Sequence, residues 1–190
     1  MSTERPEWLF EPQRLGEVIR VRPPRLGDDR GWFMETYNRK VFAENGITTD
    51  FVQDNASFSN FSGTIRGLHY QSPPFAQDKL VRVMQGAILD VAVDIRHGSA
   101  TFGAHVAVEL SAETGDQLLI PIGFAHGFVT RTPSTVVAYK VSNFYSQEHD
   151  HNIFWDDPVI GIDWGVSPSA AILSDKDLSA PLLSNAAPLL

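Results

Sequence analysis

Reactive side chains are densest in Arg66-Gly67-Leu68-His69-Tyr70-Gln71, followed by Lys79 and, much later, by Gly123-Phe124-Ala125-His126-Gly127-Phe128 and Tyr139. Together they supply an imidazole suited to be a base near neutrality, a second imidazole, two cations and a phenol. Either histidine alone is better read as a hydrogen-bonded core residue. The whole set, brought onto strands that face one interior, is better read as a site. Other groups carry less. His149-Asp150-His151 alternates as metal ligands do, but beside Glu148 it reads as a solvated loop. His97 and His105 stand alone and read as surface or strand-edge residues. Asp90 and Asp94 share a strand face and could be an acid pair of the glycosidase kind; on a strand with one wet face they read as its polar side. With no Walker motif and no Rossmann glycine fingerprint, any phosphate must be held by arginines and lysines.

These side chains need strands to carry them. Residues Leu15 to Arg25 hold a short alternating stretch, broken by Pro23-Pro24 and Gly27-Asp28-Asp29. Asn38 to Asn45, closed by Gly46, predicts a short helix. From Phe51 onward, runs rich in Val, Ile, Thr and Phe alternate with Gly, Pro, Asn and Ser, the pattern of an antiparallel sandwich or barrel. Period-two alternation puts Leu89, Val91, Val93 and Ile95 on one face of their strand and Ile88, Asp90, Ala92, Asp94 and Arg96 on the other. It also puts Lys79 with Val81 and Val83, and Tyr139 with Thr135, Val137 and Val141. If those valines line an interior, a lysine and a tyrosine enter it too, and both are costly to bury without partners.

The chain has 190 residues, 43% of them hydrophobic, which suffices for one domain with a full core. The expected division is an N-terminal segment over about residues 1–50, a barrel over about 51–155, and a segment over 156–190 packing across it. A net charge of −8 argues against non-specific duplex binding yet permits a small anion held by local cations. The absence of cysteine excludes disulfides, zinc knuckles and a thiol nucleophile. The opening MSTERPEWLFEPQRLGE has no apolar signal core, and no run reaches spanning length. The expectation is a cytoplasmic protein engaging neither membrane nor nucleic acid.

Spacing adds a family signal. Gly115, Pro121, Gly123 and His126 match the second cupin motif, G-x5-P-x-G-x2-H-x3-N, with Thr130 in place of the final Asn. Gly63 and His69 open the first motif, but Gln71 takes its second His position and Phe75 or Ala76 its Glu position. Two of the usual four metal ligands remain, fewer than a first-row metal normally takes. The chain resembles an all-β cupin-like antiparallel barrel or jelly roll, with a few short helices, that has lost its metal.

The ordered set of motifs is more specific. DRGWFME from Asp29, FVQDNASFS from Phe51, RGLHYQ from Arg66, DKLVRVMQG from Asp78, DVAVDIR from Asp90, IPIGFAHGF from Ile120, Tyr139-Lys140, FWDDP from Phe154 and LSDKD from Leu173 run in the order found in the dTDP-4-dehydrorhamnose 3,5-epimerases. The resemblance covers roughly residues 15–185. It implies inversion at C3 and C5 of dTDP-4-dehydro-6-deoxy-D-glucose through enolates, with no cofactor, because the substrate's own ketone is the electron sink. It makes His69 the base, Asp177 its orienting carboxylate, Tyr139 the proton donor on the opposite face, and Lys79 the stabiliser of the C4 oxyanion. Nothing in spacing or periodicity selects Asp177.

The resemblance also places Arg30, Phe33, Glu35, Gln53, Asp54, Asn55, Arg66, Lys79, His126, Tyr145, Asp150 and Lys176 against the nucleotide sugar. Arginines suit bidentate grip on diphosphate, and Phe33 and Tyr145 offer stacking faces. Asp150 stands where the family usually has Glu. The resemblance implies a homodimer, with strands or N-terminal segments exchanged between subunits. The alternatives are an epimerase of a single centre, a metal-dependent cupin enzyme, which Gln71 and the missing Glu oppose, and a non-catalytic nucleotide-sugar binding module. Pure binding does not require an acid and a base on opposite faces.

Overall fold

The computed structural model describes residues 7–187; the first six residues of the opening segment read above for targeting signals lie outside them. In chain order the elements are β1 (Leu9–Pro12), β2 (Ile19–Arg22), β3 (Arg25–Asp28), β4 (Gly31–Met34), α1 (Arg39–Glu44), β5 (Gln53–Ser59), β6 (Ile65–Gln71), β7 (Lys79–Gln85), β8 (Ala87–Asp94), β9 (His105–Ser111), β10 (Gln117–Ile120), β11 (Phe124–Thr130), β12 (Thr135–Val141), β13 (Asp150–Asn152) and α2 (Asp175–Leu178). They form an all-β, cupin-like barrel of two antiparallel sheets. A six-stranded sheet has the order β1-β2-β10-β7-β12-β5, and a five-stranded sheet has the order β13-β6-β11-β8-β9. Strands β3 and β4 make a separate two-stranded hairpin.

Pro23-Pro24 divides the first alternating stretch into β2 and β3, because proline brings no N–H to a ladder. Gly27 and Asp28 lie within β3 rather than breaking it. Strand β2 pairs with β10, so the larger sheet draws strands from well before residue 51. The predicted helix forms as α1: the Asn38 side chain accepts from the Lys40 and Val41 amides, and Gly46 (φ +80°) ends it. SDKD at 174–177 forms most of α2 and its cap, with Ser174 as the N-cap.

Apolar side chains lie in layers. Val81, Val83, Ile88, Ala92, Leu118, Phe124, Phe128 and Val137 meet between the sheets. Leu89, Val91, Val93 and Ile95 instead pack outward on the C-terminal segment, against Trp155, Ile160, Ile162 and Trp164. On the far side, Phe42 of α1 joins Val21, Leu80 and Leu119, covered by Trp8 and Phe10. Strand β8 is therefore covered on both faces, and the wet face expected for Asp90 and Asp94 does not exist. Both have no exposed surface. Asp94 is engaged by Arg96, Ser99 and Thr101, whose hydrogen bonds hold its carboxyl well below the usual range despite the opposing effect of burial. Asp90 bonds His126. With those partners they are not a free acid pair.

Candidate active site

One cleft of about 580 Å³ opens between the two sheets, within the range of small-molecule sites. The five-stranded sheet contributes Arg66, His69 and Asp150 on β6 and β13, and His126 on β11. The six-stranded sheet contributes Gln53 and Asn55 on β5, Lys79 on β7 and Tyr139 on β12. Tyr145 from a connecting segment, with Lys176 and Asp177 on α2, completes the wall. His69 and Tyr139 thus enter one space from opposite sheets.

Strict alternation along β6 would put Arg66 and His69 on opposite faces. A bulge brings them together. His126 pairs with His69 and Phe128 with Arg66, so three residue steps on β6 face two on β11. Gly67 makes the bulge possible at φ +124°, where a Cβ would lie 2.6 Å from the Gly127 Cα and 2.7 Å from the His126 carbonyl oxygen. Cross-strand pairing also sets His126 on the same face as His69.

Asp177 arrives on α2. Its Oδ1 lies 2.6 Å from His69 Nε2, leaving Nδ1 with no hydrogen-bond partner among the described residues. Burial works to raise the Asp177 carboxyl, but hydrogen bonds from His69 and Ser174 outweigh it and hold the group low. Ser174 Oγ donates to Asp177 Oδ2 at 2.8 Å and accepts from the Asp177 amide at 3.2 Å. One cap residue thus orients the carboxylate toward His69. The spacing Ser174-x-x-Asp177 is a capping-box signal that could have revealed α2 and the role of Ser174.

Lys79 is 8% exposed, and its Nζ donates to the His69 carbonyl oxygen at 3.2 Å. Burial brings its ammonium down to about 8, with Asp150 and Asp90 pulling the other way. Burial pushes the Tyr139 phenol up; Arg66 opposes this and Asp150 reinforces it. The phenol keeps its proton at neutral pH. Arg66 Nη2 donates to the Phe58 carbonyl oxygen at 2.9 Å and Nε to Ser59 Oγ at 3.2 Å, fixing the guanidinium on β5.

At the rim, Asp150 Oδ2 accepts from Lys176 at 2.7 Å and Tyr145 at 3.2 Å, and Gln53 Oε1 accepts from the Tyr145 amide at 3.2 Å. The His149-Asp150-His151 segment is therefore not a solvated loop: Asp150 and His151 pair with Gln71 and Tyr70, and Asp150 faces the cleft. Gln71, at a cupin ligand position, is saturated by the backbone of Phe75, Phe144 and Ser146. His69 and His126 each commit Nε2 to a carboxylate. With Gln71 saturated, the two Nδ1 atoms are too few for a first-row metal, and no group of three or more His, Asp or Glu among the described residues has the geometry to hold one.

Four expected residues lie elsewhere. Asp54 alternates with Gln53 and Asn55, so it points out of the sheet and pairs with Lys140 at 2.8 Å. Arg30, Phe33 and Glu35 lie on and beside the β3–β4 hairpin, outside this cleft. Arg30 pairs with Asp28, Glu35 accepts from Asn38, and Phe33 is 69% exposed.

The sequence model of one family, described as dTDP-4-dehydrorhamnose 3,5-epimerase, matches residues 12–185. A dTDP-4-dehydrorhamnose 3,5-epimerase of Sinorhizobium fredii is 50% identical over 182 residues, covering 96% of this chain and 93% of that protein. The crystal structure of an enzyme of the same name from Bacillus anthracis, with TDP and pyrophosphate bound, is 48% identical and superposes with a TM-score of 0.89, covering 93% of this chain and 99% of that one. A dTDP-6-deoxy-D-glucose-3,5-epimerase from Legionella pneumophila, in complex with dTDP-4-keto-L-rhamnose, is 43% identical with a TM-score of 0.90, covering 94% of each chain.

Proposed function

The chain belongs to the dTDP-4-dehydrorhamnose 3,5-epimerase family, and from that premise we propose how its own residues divide the reaction. The activity converts dTDP-4-dehydro-6-deoxy-D-glucose to dTDP-4-dehydro-L-rhamnose by inverting C3 and C5. The C4 ketone acidifies the hydrogens on both carbons. Removing one from one face and returning it to the other inverts the centre through an enolate.

His69 takes the proton at Nδ1 while Asp177 holds the ring through Nε2 and supports the imidazolium. Lys79 donates its ammonium to the C4 oxygen as negative charge grows there. Tyr139 returns a proton from the opposite sheet. Arg66 and Lys176 face the diphosphate, Tyr145 the thymine, and Gln53, Asn55 and His126 the remaining polar groups. Asp150 acts through Lys176 and Tyr145, whose positions it ties together at the rim. The observation carrying this reading is that His69 with its carboxylate, Lys79 and Tyr139 face one cleft from opposing sheets.

The working unit is a homodimer in which the β3–β4 hairpin of one copy reaches the cleft of the other. Leu26, Trp32 and Phe33 stand 50%, 58% and 69% exposed on that hairpin, a concentration of apolar surface suited to a partner. Exchange would deliver Arg30, Phe33 and Glu35 to a nucleotide that they do not reach in their own chain.

Solvent exchange tests the assignment. In heavy water with a chelator, the wild type incorporates deuterium at C3 and C5 of the 4-dehydro sugar, read by NMR. His69→Asn lowers exchange at both carbons by about 10³-fold with dTDP affinity retained. Exchange at wild-type rate in that variant removes His69 as the base, and deuterium at one carbon only in the wild type marks a single-centre enzyme.

A further inference from the structure

Two imidazole–carboxylate pairs stand in the cleft, and the mechanism above uses one. In the other, His126 Nε2 on β11 lies 2.6 Å from Asp90 Oδ1 on β8. Asp90 has no exposed surface, and His126 is 7% exposed. A carboxylate placed inside a barrel is costly unless its partners need it, and here Oδ2 is buried with no hydrogen-bond partner among the described residues. Carboxylate oxygens accept, so the ring hydrogen sits on Nε2 and Nδ1 carries the lone pair. Nδ1 has no partner among the described residues, the ring lines the cleft, and His126 is the cross-strand neighbour of His69. Burial holds the His126 imidazolium below its ordinary range; Asp90 opposes this, while Lys79 and His69 add to it. A neutral ring turned this way repels a diphosphate oxygen and suits the hydrogen of a hydroxyl.

We propose that Asp90 is a positioning residue for the reaction, holding His126 in the tautomer that presents Nδ1 to the cleft as acceptor for a hydroxyl of the substrate's hexose ring. The proposal rests on the reading of the cleft as the epimerisation site, since the hexose must lie against His69 for a hydroxyl to reach its neighbour. The unpartnered oxygen makes Asp90→Asn an informative isosteric change. An amide turned with its oxygen to the ring would bury an unpartnered NH2. The reverse orientation pairs one N–H with the ring and leaves a single N–H unpaired, with the carbonyl oxygen where Oδ2 already lacks a partner. The amide therefore donates to Nε2, the ring hydrogen moves to Nδ1, and an acceptor at the cleft becomes a donor.

Nitrogen-15 NMR of the full-length, histidine-labelled enzyme near neutral pH reads the tautomer directly. The wild type carries the His126 hydrogen on Nε2 and Asp90→Asn carries it on Nδ1, with kcat/KM lower by about 10²–10³-fold and dTDP affinity unchanged. A wild-type ring protonated on Nδ1, or on both nitrogens, overturns the proposal, and this spectrum decides even if the variant does not fold. So does an inverted tautomer with unchanged kcat/KM, or a loss of dTDP affinity as large as the loss of kcat/KM, which would put Nδ1 on the diphosphate. An active His69→Asn would instead overturn the reading of the site while leaving the tautomer measurement intact.

Discussion

Lys79 shows how one residue's surroundings would suit it to the oxyanion role proposed for it. In water its ammonium would be permanently charged at any pH the enzyme meets. Burial weakens that charge to a midpoint of about 8, while Asp150 and Asp90 keep it from falling further. A donor close to losing its proton shares it readily with a developing enolate oxygen. The consequence has a definite sign. In the proposed role the charged form is the useful one, so kcat/KM, which reports the free enzyme, is expected to fall as pH rises through about 8. Lys79→Met removes that basic limb and lowers kcat by about 10²–10³-fold. A wild-type profile flat from about pH 7 to 9.5 would separate Lys79 from oxyanion stabilisation. Tyr139 is shifted in the opposite sense: burial raises its phenol, so the proton of the proposed donor is present at neutral pH.

At the scale of elements, the bulge in β6 does what no side chain can do alone. It converts an alternating strand into one that turns both Arg66 and His69 to the same cleft. Gly67→Ala tests this. The added methyl meets the Gly127 and His126 backbone at under 3 Å and adopts a φ that disfavours any Cβ. The expected cost is ~3 kcal/mol, read as a melting temperature lower by roughly 6–12 °C, with kcat/KM reduced even below the new melting point. Unchanged activity in the folded fraction would mean that Arg66 and His69 do not depend on this bulge. The C-terminal strap makes a parallel contribution. It carries Asp177 to His69 on the short helix α2, capped by Ser174, and an isolated bridge from Thr64 to Ile172 fastens it to the barrel.

At the scale of the molecule, the chain carries a net charge of −8 yet is proposed to bind a diphosphate. The cations Arg66, Lys79 and Lys176 gathered in one cleft outweigh the global balance locally. The proposed hairpin exchange makes a complementation prediction. His69→Asn and Arg30→Ala subunits, each of low activity alone, should regain activity when unfolded and refolded together. In each mixed dimer the Arg30→Ala subunit keeps its own His69 and receives an intact hairpin from its partner. Failure of the mixture to exceed the sum of its parts, with mixed dimers verified by mass, would place the hairpin's role within its own chain.

The division between what the sequence determined and what the tertiary structure decided follows from the range of each signal. Alternation, turn residues and the closing Gly46 are local, so the β-rich class, helix α1 and the inward parity of Lys79 and Tyr139 were legible from neighbouring residues. The ordered motifs carried the family and its chemistry. Local pattern could not show that β8 is covered on both faces, because its outer cover comes from Trp155, Ile160, Ile162 and Trp164, far along the chain. Asp90 and Asp94 therefore looked solvated and proved buried. Nor could alternation anticipate a bulge that depends on how closely two backbones approach at Gly67 and Gly127, or tell that a strap some 108 residues away brings Asp177 to His69. Arg30, Phe33 and Glu35 mark the same boundary: the resemblance assigns them to a ligand, and only the fold reveals that they do not line their own chain's cleft. Residue types and their periods determine which chemistry is available, while contacts between distant segments decide which groups meet, because desolvation, register and charge pairing exist only once those segments pack.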